Sequence, residues 1–111
     1  DASYNNTTGW QGSGNIKAGT NKTVTTCDIC NVTSIEVSSQ NAVYQVSFDS
    51  GVTWQGWTSD GWIDDVTMIK KEIESVPESA WKKYDQVRIR ALLEAGANLY
   101  RIYAYGGTVN D

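Results

Sequence analysis

A chain of 111 residues with 40% apolar and 20% charged side chains is long enough to bury one core, too short for two, and outside the composition range that stays disordered. Nine Lys and Arg against thirteen Asp and Glu give a net charge of −4, which argues against nucleic acid as partner, because such surfaces carry excess cations to neutralise phosphates. Histidine is absent, which removes Ser-His-Asp triads, Cys-His pairs and His-ligated zinc, and no run of about 18 apolar residues announces a membrane span.

Residues 1–26 open on Asp1 rather than Met, as a mature product or a segment of something longer would. They are rich in Asn, Thr, Gly and Ser, with Tyr4, Trp10, Ile16 and Val24 as apolar anchors. They read as an N-terminal arm ahead of a single domain at 27–111. The alternative is edge strands around Trp10 and 23–26, since Thr and Val favour the pleated surface. From 32 to 38 the period is two, with one polar face. Ala42, Tyr44, Val46 and Phe48 share a parity, Asp49-Ser50-Gly51 supplies a turn, and 52–57 runs back, which is a hairpin pattern. Over 67–84 the apolar spacing becomes three and four. Ser75-Val76-Pro77-Glu78 has the form of a capping box with Pro in the first turn, predicting a helix over 76–84. A further turn or two over 68–74 would have Thr67 as cap. Val87, Ile89, Ala91 and Leu93 then alternate with Arg88, Arg90 and Leu92, and 99–105 alternates again behind a turn at 94–98. The expected fold is mainly β: an antiparallel β-sandwich or jelly-roll-like body with one or two short helices at about 68–84.

Ser47-x-Asp49-x-Gly51-x-Thr53-Trp54 matches the S-x-D-x-G-x-T-W pattern in full. A turn carboxylate can accept backbone N–H groups, Gly51 can take positive φ, and Thr53 and Trp54 can lock the returning strand. The pattern resembles the Asp-box, which sialidases repeat once per propeller blade away from their catalytic centre. A single copy in a chain too short for a propeller implies a structural hairpin. The longer run from Tyr44 through Trp54, Trp57 and Asp60-Gly61-Trp62 to Val66 resembles a module of tail and minor structural proteins from phages and prophages of Gram-positive bacteria. Its Met-led segment is matched at 68–73, its Trp-bearing helix at 76–81, and its Arg-rich strand at Val87-Arg88-Ile89-Arg90-Ala91. The resemblance covers about 40–104 and implies a non-enzymatic virion or secreted surface module.

Five Trp and six Tyr stand against one Phe, favouring the aromatics that sit half wet. Trp10, Trp54, Trp57, Trp62, Tyr103 and Tyr105 are candidates for a sugar-stacking platform or for packing. Trp54 and Trp57 have opposite strand parity, and we expect Trp54 and Trp81 in the core, with Trp57, Trp62 and Tyr103 as the glycan-binding candidates. Cys27-Asp28-Ile29-Cys30 lacks the further ligands of a zinc site, so Cys27 and Cys30 read as a disulfide, local or between subunits, or as two thiols. Asp60, Asp64 and Asp65 are a weak calcium candidate without EF-hand spacing, and a solvated acidic turn is the plainer reading. Sequons begin at Asn5, Asn6, Asn21 and Asn31. No cofactor and no catalytic group is expected.

Three functions fit these features. The first is a non-enzymatic structural or adhesive module of a phage-tail-like or other extracellular assembly, with copies of itself or other subunits as partners. The second is a carbohydrate-binding module or lectin that holds a cell-surface glycan on an aromatic platform. The third is a filament or pilus subunit using residues 1–26 for strand addition. All three place the chain outside the cell or in a virion.

Overall fold

The computed structural model describes residues 10–17 and 21–109. Its strands are Trp10–Lys17 (β1), Lys22–Thr25 (β2), Ile29–Cys30 (β3), Ser34–Ser47 (β4), Gln55–Thr58 (β5) and Gly61–Asp64 (β6). Helices Lys70–Glu74 (α1) and Glu78–Trp81 (α2) precede the strand Gln86–Tyr105 (β7). Every named strand pairing is antiparallel, in the order β1-β7-β4-β5-β6, with β2 and β3 also on β7. The fold is thus mainly antiparallel β and sandwich-like, with two short helices inside 68–84, as expected.

Each of two expected strand pairs is one continuous strand. The segments 32–38 and 42–48 merge into β4, and 87–93 and 99–105 merge into β7. Where the alternation breaks, the ladder slips: Tyr100 is passed over between Ser38 and Ser39, and Asn41 stands opposite residues 94–97. Asn41 and Gly96 take φ of 60° and 90°, the left-handed conformation that Asn and Gly accommodate and that bulges use. The slips move the buried parity from Ile35 and Val37 to Ala42, Tyr44 and Val46 on β4. On β7 it moves from Leu99 to Ile102, so the apolar positions stay on one face.

Residues 10–17 and 22–25 belong to the sheet itself, as edge strands on β7 rather than an arm outside it: Lys17 pairs with Asn98, and Val24 with Ala91. Strand addition by this segment would therefore require it to leave β7. The other edge of β4 is covered piecemeal. β5 pairs with it at Val46, and Met68 exchanges two backbone hydrogen bonds with Tyr44 at 2.7 and 2.8 Å. At Val37 the α1 ion pair takes over. Lys70 Nζ donates to the Val37 carbonyl at 2.7 Å and Glu74 Oε2 accepts the Val37 N–H at 3.0 Å, with 2.8 Å between the two side chains. Polar cover of this kind blunts a free edge.

Met68, Ile73, Val76, Ala80 and Trp81 are buried with the face that carries Val46 and Ile89 and complete the core. The helix ends differ from expectation. Ile69, not Thr67, is the N-cap of α1, its N–H donating to the Glu72 carboxylate at 2.9 Å. Ser75 turns back on α1, with both its N–H and its hydroxyl on the Glu72 carbonyl. It does not cap α2, whose N-cap is Pro77, and the helix expected over 76–84 contracts to Glu78–Trp81.

Candidate functional site

The turn after β4 is built around one carboxylate. Asp49 Oδ1 accepts the Ser47 hydroxyl at 2.7 Å and the Thr53 N–H at 2.9 Å, and Oδ2 accepts the Thr53 hydroxyl at 2.6 Å. Ser47 Oγ in turn accepts the Gly51 N–H at 2.8 Å. The Thr53 hydroxyl and N–H, then the Ser47 hydroxyl, lower the Asp49 carboxyl to about 2, because hydrogen bonds to the ionised form favour it. Ser50 and Gly51 have φ of 59° and 93°. The Ser47, Asp49 and Thr53 side chains are thus committed to the loop. The loop is tied to β3 through Asp28, whose carboxylate accepts the Ser50 hydroxyl at 2.9 Å and forks with Arg88 at 3.1 and 3.2 Å. Sequence reasoning passed over this Asp28–Arg88 pair. The two residues lie sixty positions apart, and only the β3–β7 ladder brings them together.

The two tryptophans of opposite parity divide the other way from expectation. Val46 pairs with Gln55, Gln55 with Asp64, and Trp57 with Trp62, and paired residues share a face. Trp57 and Trp62 therefore lie on the core side, half-buried and packed against the core. Trp54 is half-buried on the opposite face, under the Arg90 guanidinium at 4.2 Å. Arg90 Nε donates to Gln45 Oε1 at 3.0 Å, and Gln45 Nε2 donates to the Val66 carbonyl at 3.2 Å. Burial under this layer lowers the Arg90 pKa, opposed by the nearby Asp65 charge. Trp54 is not a core residue because it packs on the face of Gln45 and Arg90, opposite the core, whereas Trp81 is buried as expected.

Trp62 is the hub of an aromatic cluster. Its ring meets Trp57 and Phe48 at 5.1 Å each and Trp81 at 5.3 Å, and Phe48 stacks on Tyr84 at 4.2 Å. Between the β5–β6 hairpin and α2 this cluster opens into a groove of about 320 Å3, lined by Trp57, Trp62, Tyr84, Gln55, Asp60 and Lys83 among others. The hairpin closes through Thr58, whose hydroxyl accepts the Asp60 N–H at 3.0 Å and donates to the Gly61 carbonyl at 2.9 Å. Gln55 Nε2 donates to Asp64 at 2.8 Å. A carboxylate only accepts, so the amide is fixed and Oε1 is left buried with no partner among the described residues. Aromatic side chains among polar walls, with one charge of each sign, suit a polyhydroxylated ring. Tyr84 and the Asp60-Gly61 turn were the missed elements. The Asp-Gly pair between Trp57 and Trp62 was a readable hairpin signal.

Apart from Asp60, the remaining candidates do not join this groove. Tyr103 pairs with Glu36 at the far end of β7, in edge contact with Tyr105 at 5.0 Å and under Arg101 at 4.6 Å. Cys27 and Cys30 are free, half-buried thiols. No local disulfide forms where Ile29 and Cys30 are extended and laddered to Val87 and Gln86. Asp60, Asp64 and Asp65 do not converge, and no metal-holding group of three or more such ligands occurs among the described residues. Asn21 and Asn31 are exposed, Asn5 and Asn6 lie outside the described residues, and Trp10 is placed by its backbone alone. Comparison of the chain with protein-family models, curated proteins and solved structures gives no match.

Proposed function

We propose that the chain is a non-enzymatic adhesive module of an extracellular or virion assembly, and that it acts by holding a saccharide in the groove between the β5–β6 hairpin and α2. The observation that carries this reading is the convergence of Trp57, Trp62 and Tyr84 with Gln55, Asp60 and Lys83 around about 320 Å3, a volume within the range of small-ligand sites. Two features of the sequence support it: the absence of histidine and the resemblance of about 40–104 to phage-tail modules. The hydrogen bonds of Asp49 within its own loop support a structural role for the Asp-box.

The test is a glycan array followed by titration of the bound glycan, monitored by tryptophan fluorescence, on the unaltered protein and on Trp57→Ala. We expect a saturable spectral change and a loss of about tenfold or more in affinity for Trp57→Ala, the scale of one aromatic contact. An array without signal, or a Trp57→Ala variant that binds as well as its parent, refutes the reading.

A further inference from the structure

The piecemeal cover on the outer edge of β4 leaves a gap. Tyr44 exchanges both its backbone bonds with Met68, and Val37 gives its N–H to Glu74 while its carbonyl accepts from Lys70. Successive residues of a strand turn their N–H and C=O to opposite edges, so those of Ser39 and Ala42 face the same outer edge as those of Val37 and Tyr44. The slips in the ladder do not alter this, because the residue passed over beside Ser39 is Tyr100 on β7, and Ala42 to Tyr44 pair in unbroken register. Among the described residues no backbone or side-chain group takes them up, and open edge groups are a template for another strand. Beside the gap lies a groove of about 670 Å3 with a mainly apolar wall, lined by Ser39, Asn41 and Ala42 of β4 and by Ile69, Lys70 and Lys71 of the α1 segment. Ile69 is 53% exposed there although apolar. Lys70 is neutralised by Glu74, whereas Lys71 is exposed and meets no carboxylate among the described residues, which leaves the groove with one uncompensated positive charge.

We propose that this groove takes an extended, apolar and acidic peptide segment of a partner protein, added as a strand to β4 at Ser39 and Ala42. The segment's backbone bonds the open edge, an apolar side chain rests against Ile69, and a carboxylate faces Lys71. Strand addition draws affinity from main-chain bonds and selectivity from alternate side chains, and an open edge beside an apolar groove offers both. An aliphatic acid would suit the wall and Lys71 but would leave the edge unpaired, which favours the peptide. The groove shares no lining residue with the one between the β5–β6 hairpin and α2, so the proposal does not depend on the saccharide reading.

The experiment is titration of the isotope-labelled, full chain with end-blocked hexapeptides, followed by amide NMR shifts. The peptides are one of alternating Val and Asp, one of alternating Val and Lys, and two forms of the first that are N-methylated on alternate amides, one for each edge of the peptide. Decanoate is titrated in parallel as an aliphatic acid without a backbone. The Val and Asp peptide is expected to saturate with a Kd below about 1 mM, to move the amides of Ser39, Asn41 and Ala42, and to bind about tenfold more tightly than the Val and Lys peptide. The N-methylated form that loses its edge-facing donors is expected to bind about tenfold more weakly than the other. Lys71→Glu is expected to weaken the acidic peptide about fivefold. Ile69→Ser removes the apolar wall and completes a capping box with Glu72, which preserves α1, and is expected to cost about fivefold or more. The peptide series on the unaltered protein decides the matter if either variant does not fold. No saturation by the acidic peptide, equal binding of the two charge forms, or shifts confined to other parts of the chain overturns the proposal. Equal binding of both N-methylated forms and their parent overturns strand addition, and saturation by decanoate alone assigns the groove to an aliphatic acid instead.

Discussion

Gly56 is the position where the fold leaves no room for a methyl group. It is buried in β5, and a Cβ there would fall against the Val66 carbonyl oxygen, 2.8 Å from the Val66 carbonyl carbon and 2.9 Å from Val66 Cγ1. Reaching ordinary contact distance from the carbonyl oxygen requires a backbone shift of roughly 1 Å. That shift would pull the Val66 carbonyl away from Gln45 Nε2, now 3.2 Å distant, in a side chain that is only 4% exposed. Overpacking costs about 1–3 kcal/mol and a buried polar group left unpaired about 1–3 more, so Gly56→Ala is expected to lose about 2–6 kcal/mol. In a domain of this size that is a fall in Tm of about 8–24 °C. Gly61→Ala is the control: its φ of +95° is unfavourable to a side chain, but no atom lies within 4 Å of the new Cβ. The expected loss there is about 1–2 kcal/mol. Urea unfolding followed by tryptophan fluorescence measures both. A Gly56→Ala loss below about 0.5 kcal/mol, or one smaller than that of Gly61→Ala, would refute the reasoning.

Burial pushes the Tyr44 hydroxyl up from 10.0 to about 12, opposed by its hydrogen bond with Ser39 and helped by the Glu74 charge. Between these values the unfolded chain releases a proton that the folded chain keeps. Stability present in full below pH 10 should therefore fall by about 2–3 kcal/mol as pH rises toward 12, and Tyr44→Phe should lose that part of the slope in unfolding curves taken across the range. Identical slopes for the two proteins would show that Tyr44 does not carry it. For Asp28 and Arg88, whose side chains are 24% and 31% exposed, a double-mutant cycle with Asp28→Asn and Arg88→Gln should give a coupling of about 1 kcal/mol. A coupling near zero would mean that this pair adds nothing measurable to the hold between the β3 segment and β7.

Local chemistry made several elements readable in advance. The turn at 47–53 formed as its residue types require, because the partners of Asp49 lie within seven positions. The alternation of Val87, Ile89, Ala91 and Leu93 and the shift in period at 67–84 likewise reported a strand and a helical segment. The continuity of β4 and β7 was hidden, because a bulge reverses the parity of the pattern just as a turn does. Ser75 fits the pattern of a cap for the helix after it, whereas its hydroxyl serves the helix before it, a choice between two nearby carbonyl and amide partners that spacing does not determine. The facing of Trp54 and Trp57 depended on the register of β5 against β4, set by the single pairing of Val46 with Gln55. Tyr84 entered the groove through its stacking on Phe48, a contact between elements whose sequence separation conceals it.

The position of β7 also bears on how the fold is reached. Residues 86–105 come after all of β1, β2, β3 and β4 in the chain, yet each of those strands finds its ladder partner in β7. During synthesis the earlier strands must wait without their central partner, exposing the apolar parity of β4, until the last twenty-residue strand has emerged. Closing such long loops comes before any ladder rewards it, so folding should be slow for a domain of this size and strongly dependent on β7. In that interval the same unpaired edges are open to the β7 of a neighbouring copy, which makes exchange of this strand between chains the characteristic misfolding hazard of the topology.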